Sequence, residues 1–143
     1  MQQRIDKDLP EIPVTTTGAD FAYETLIAQE DYAHLLLDCA TRGIPRQILR
    51  SLDRISRRWL IKSSNAHLEE IDRIAERLAR PGAYFLSVNY EWGCTVGVHP
   101  SSDGQTARLV RVLDWRTPGL GRYVIAAKVD GAAGPFTSMT WPG

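Results

Sequence analysis

The chain has 143 residues, 43% apolar and 24% charged, the composition of an ordinary soluble domain with one modest core. Its 17 basic and 17 acidic side chains cancel to a formal charge of zero, so no bulk field recruits nucleic acid. No apolar run approaches the roughly 20 residues of a membrane span, and the first residues lack the apolar stretch of a secretory signal, so a cytoplasmic location is expected.

Residues 1–19, with Pro10, Pro13, Thr15 and Gly18, follow no period and predict an extended, loose lead-in. From Asp20 to Ala40 the apolar residues Phe21, Leu26, Ile27, Leu35, Leu36 and Cys39 predict helix, interrupted around Gln29 to Asp31 and stopped by Gly43 and Pro45. Ile48, Leu52, Ile55 and Trp59 recur at steps of four, three and four, one stripe of an amphipathic helix, with a basic opposite face. Ser63, Ser64 and Asn65 are candidate N-caps for a further helix lined by Leu68, Ile71, Ile74, Ala75 and Leu78 and ended by Pro81-Gly82.

After Gly82 the texture turns to β-rich runs. Strands are predicted at Ala83 to Trp92, Thr95 to His99, Ala107 to Asp114, Arg122 to Val129 and Phe136 to Trp141. They are separated by turns at Pro100 to Gly104, Thr117 to Gly119 and Asp130 to Gly134. A chain ending inside a predicted sheet suggests a missing continuation.

The chemically informative stretch is Asn89-Tyr90-Glu91-Trp92-Gly93-Cys94-Thr95, followed by Arg111-Val112-Leu113-Asp114-Trp115. Self-cleavage by an N-to-S acyl shift needs a thiol to attack the carbonyl just before it, and a glycine there leaves the approach open. Hydrolysis then releases Cys94 with an α-amine of ordinary pKa about 7.7 to 8.0, which can take the thiol proton, so nucleophile and base occupy one residue.

The order Asn-Tyr-Glu, Cys-Thr and Arg-x-x-Asp-aromatic resembles the acid ceramidase and N-acylethanolamine-hydrolysing acid amidase family of N-terminal-nucleophile hydrolases. Choloylglycine hydrolases and penicillin acyltransferase-like hydrolases are more distant relatives by the same pattern. The resemblance runs from Asn89 to Gly143, and more loosely through Asp8-Leu9-Pro10 and the helices. It implies an α+β chain belonging to a four-layer αββα sandwich. Residues 1–93 correspond to a helical pro-segment or α-subunit, and residues 94–143 to the start of a catalytic β-subunit, the two forming a heterodimer after self-cleavage.

The resemblance also implies that Cys94 is the nucleophile, that Arg111 supports the thiolate and substrate carbonyl, and that Asp114 holds the new ammonium. Trp92 and Trp115 flank the site as candidate substrate-pocket walls. The expected substrate is a small-molecule N-acyl amide, cleaved through a thioester. An acyltransferase, or a non-catalytic interaction module of the same shape, is the alternative. The Cys-to-Arg spacing is one residue longer than the family pattern, with Pro100 to Gly104 the natural place for the insertion. The asparagine and acidic residue that the family places later lie beyond Gly143, which suggests truncation.

Elsewhere the residues predict little chemistry. His34, His67 and His99 are scattered and imply no metal, Gly119-Leu120-Gly121 is a turn rather than a phosphate loop, and no cofactor is implied. Cys39 is expected to pack in a core, and both it and Cys94 to be reduced. Arg46, Arg50, Arg54, Arg57 and Arg58 make a basic strip that is either a solvated face or a weak contact to anionic lipid.

Overall fold

The computed structural model describes residues 11–14, 20–88, 93–100, 102, 104, 107–114, 117–131 and 134–143. In chain order they form β1 (Glu11–Val14), α1 (Phe21–Ala28), α2 (Glu30–Ala40), α3 (Arg46–Lys62), α4 (Leu68–Leu78), α5 (Ala83–Ser87), β2 (Gly93–Pro100) and β3 (Ala107–Asp114). A 3-10 turn (Leu120–Tyr123) then leads to β4 (Ile125–Gly131) and β5 (Gly134–Thr140). The class is α+β, as expected.

The predicted break in the first helix falls at Gln29, which closes α1 and opens α2. Leu26, Ala33 and Leu37 of this helical pair are buried with Leu78 of α4 and Ala83 of α5, and Tyr23, Ile74, Ala75 and Leu86 pack against them. No N-cap side chain serves α1; instead Glu70 of α4 accepts the backbone N–H groups of Ala22 and Tyr23 at 2.9 and 3.1 Å. Surface pairs between Arg73 and Asp20, Arg77 and Glu30, and Arg80 and Asp38 tie α4 to the first two helices.

On α3 the predicted buried stripe is corrected. Ile48, Ile55 and Trp59 are 51%, 63% and 46% exposed, and the covered residues are Leu49, Ser56 and Leu60. The apolar arc of this helix is wider than the neighbour it meets, and packing chose the other side of it. The basic strip is exposed as expected. The expected N-caps of α4 are also corrected: Ser63 closes α3, and Asn65 Oδ1 accepts the N–H of His67 at 2.9 Å in a side-chain turn ahead of the helix. Ala79, in the left-handed conformation at φ 51°, ends α4 before Pro81 is reached.

The strand predicted at Ala83 to Trp92 is corrected too, since Ala83–Ser87 is helix; residues 89–92 lie outside the described set. The reason is non-local. Asp53 of α3 accepts the N–H groups of Gly82 at 2.7 Å and Phe85 at 2.9 Å, capping the first turn of α5. Gly82 takes φ 124°, and a Cβ there would lie 2.8 Å from Leu37 Cδ1. Tyr84 donates to Asp72 Oδ1 at 2.7 Å, and Arg57 grips both oxygens of Asp72 at 2.9 Å, linking α3, α4 and α5. The Arg57 hydrogen bond holds the Asp72 carboxyl below its ordinary range, while burial and the bond to Asp72 push the Tyr84 hydroxyl up.

Within the lead-in expected to be loose, Glu11–Val14 forms a strand that pairs in parallel with β4, and β4 pairs antiparallel with β5. Residues 1–10 and 15–19 lie outside the described set. Ile12, Val14, Ile125 and Ala127 are buried together, with Phe21 and Tyr32 against them. The strand predicted from Arg122 starts at Ile125, because Leu120–Tyr123 turns as a 3-10 segment behind Gly119 at φ 92°. The tail Trp141-Pro142-Gly143 returns to the helices: the Trp141 indole donates to Leu120 O at 3.1 Å and the Gly143 N–H to Thr25 Oγ1 at 3.3 Å.

Candidate functional site

Strands β2 and β3 make a separate two-stranded antiparallel ladder that runs from Gly93 opposite Asp114 to Pro100 opposite Ala107. It matches the two predicted strands, with Gly104 at φ 65° in the connection where the extra residue was expected. At Gly93, Cys94, Arg111 and Asp114 the description is of backbone and register.

That register decides which residues can meet. Cys94 pairs with Leu113 and Arg111 with Val96. Directly opposed residues share a ladder face and alternate residues return to it, so Cys94 and Arg111 belong to one face. They are diagonal neighbours in the ladder, a relationship that sets Cα atoms about 7 to 8 Å apart. Asp114 belongs to the other face, as an offset of three residues requires. It is, however, the terminal residue of β3 and lies directly opposite Gly93. A strand end is one of the arrangements that lets residues of opposite parity serve one centre.

The hairpin therefore gathers the predicted Gly93, Cys94, Arg111 and Asp114 at one end of a ladder. Trp92 and Trp115, the expected pocket walls, lie outside the described residues. The residue types named from the sequence did not include Leu113 and Val96, the direct partners of Cys94 and Arg111; the strand alternation and the turn position carried that signal. On the remainder of the ladder, Val96 and Val98 on the Cys94 face and Val112 on the Asp114 face are more than half exposed.

Cys39 is placed as expected, a buried free thiol whose Sγ lies 3.5 Å from Pro118 O. His34 stands 4.0 Å from Glu30 and His67 4.0 Å from Glu70, each on its own helical stretch, and His99 is exposed on β2. An apolar cavity of about 180 Å³ opens between α2, α4, α5 and the returning tail, walled by Leu37, Ile74, Leu86 and Trp141. Among the described residues no helix is long and apolar enough to cross a membrane. Compared with models of protein families, with curated proteins and with solved structures, the chain gives no significant match.

Proposed function

We propose that this chain carries the nucleophile of a self-processing cysteine amidohydrolase of the acid ceramidase-like type, built into one part of a four-layer αββα sandwich. The observation that supports this reading best is the ladder register, which puts Gly93 opposite Asp114, and Cys94 one rung on, diagonal to Arg111. In the first reaction the Cys94 thiol attacks the Gly93 carbonyl carbon, the Gly93–Cys94 peptide bond breaks, and the freed nitrogen becomes the α-amine of Cys94. Water hydrolyses the resulting thioester, leaving a carboxylate on Gly93. In the second, the α-amine takes the thiol proton and the thiolate attacks the carbonyl of an N-acyl amide. The substrate nitrogen leaves with that proton, and water releases the acyl group as a carboxylic acid. Arg111 favours thiolate over thiol and steadies the developing oxyanion, and Asp114 holds the ammonium form of the amine near the sulfur.

Intact-mass measurement of the purified chain tests the proposal. Two fragments joining at Gly93 and Cys94, absent from Cys94→Ala, are expected; a single uncleaved mass together with no turnover of N-acyl amides overturns it.

A further inference from the structure

Helix α3 presents two exposed ridges side by side. Arg50, Arg54, Arg58 and Lys62 recur every four residues, and all are exposed. Next to them run Ile48, Ile55 and Trp59, roughly half exposed or more, with Ile55 one residue from Arg54 and three from Arg58. The acidic residue of this helix, Asp53, is turned away, because its two oxygens are occupied by Gly82 and Phe85 N–H groups. Arg57 is likewise engaged by Asp72.

We infer that this face of α3 docks in plane on an anionic lipid bilayer, with Ile48, Ile55 and Trp59 entering the boundary of the acyl region and the basic ridge meeting headgroup phosphates. A surface helix with isoleucine and tryptophan on one side and arginine on the other matches the two layers of a bilayer interface at once. The charge also discriminates against a second copy of the chain. Pairing two α3 faces would set one arginine ridge against another, and like charges across a contact are repulsive. Because the whole chain is neutral, the attraction comes from this helix and not from bulk charge. The inference stands apart from the chemistry at Cys94, and its test uses no amide substrate.

The test is flotation of the full chain with vesicles of phosphatidylcholine alone or with added phosphatidylserine, at low and raised salt. Binding only to the phosphatidylserine vesicles, weakened by salt, is expected. Each arginine neutralised lowers vesicle affinity about fivefold, so Arg54→Gln with Arg58→Gln costs roughly 25-fold. Ile55→Ser also weakens binding, through lost apolar insertion. All three positions are exposed, so these variants keep the wild-type circular dichroism spectrum. The inference is overturned by absent binding, by equal binding to both vesicle types, by affinity that the variants leave unchanged, or by a concentration-dependent dimer that Ile55→Ser abolishes.

Discussion

Gly93 sits directly opposite Asp114 on the terminal rung shared by β2 and β3, so the proposed scissile bond begins where the carboxylate-bearing strand ends. The two residues arrive there from segments separated by the whole hairpin, and antiparallel pairing of equal-length strands brings them together.

Under the proposed mechanism Asp114 and Arg111 have separable roles. A carboxylate near the Cys94 ammonium raises the amine pKa, so Asp114→Asn should lower it and move the rising limb of the pH–rate profile toward acid. Arg111→Gln removes oxyanion support and is expected to cost about 100-fold in turnover, with Arg111→Lys milder. The measurement is a pH series with a model N-acyl amide. A profile that Asp114→Asn leaves in place sinks the assigned role.

The fragments 1–93 and 94–143 should stay together after cleavage. Strand β1 of the first pairs with β4 of the second, and Trp141 to Gly143 of the second lie against helices of the first. Size-exclusion chromatography without denaturant should give one species whose denaturing gel shows two bands; separate elution would contradict the shared core.

Removing the carboxylate of Asp53 leaves two N–H groups at the start of α5 without their cap. Asp53→Ala is expected to cost about 1 to 2 kcal/mol in urea unfolding, and Asp53→Asn less, since an amide oxygen still accepts. Gly82→Ala acts on the same turn through φ 124° and the approach of Leu37, and is expected to destabilise by more than about 1 kcal/mol. An unshifted midpoint for both would show that α5 needs neither device.

Leu26 is fully buried in the helical core. Leu26→Ala should cost about 2 to 5 kcal/mol, the range for emptying a close-packed site. A cost below about 1 kcal/mol would mean that α1 and α4 collapse into the space.

Acid should loosen the junction of α3, α4 and α5. The Arg57 hydrogen bond lowers the Asp72 pKa on folding, so the stabilisation is complete above the unfolded value of about 3.9. It disappears as pH falls through the lower folded value. Urea midpoints measured below about pH 4 should therefore fall more steeply for the wild type than for Asp72→Asn. Parallel curves would remove Asp72 from the acid response.

What the sequence by itself determined are features read along a single element. The break at Gln29, the helix from Leu68 to Leu78 and the strands at β2 and β3 follow from periodicity and turn residues. Once two strands and their turn are known, alternation leaves little freedom in which residues share a face. The tertiary structure decided everything that depends on a distant partner. Ala83–Ser87 became helix because Asp53, about thirty positions earlier in the chain, caps it. Glu11–Val14 became a strand because β4 offered a parallel edge more than one hundred positions later. On α3 the apolar arc was legible, but burial fell to Leu49, Ser56 and Leu60 and left Ile48, Ile55 and Trp59 outside. A periodic pattern fixes how side chains are distributed around an axis. Which part of that arc is covered depends on where the neighbouring helix lies, and that information is held elsewhere in the chain.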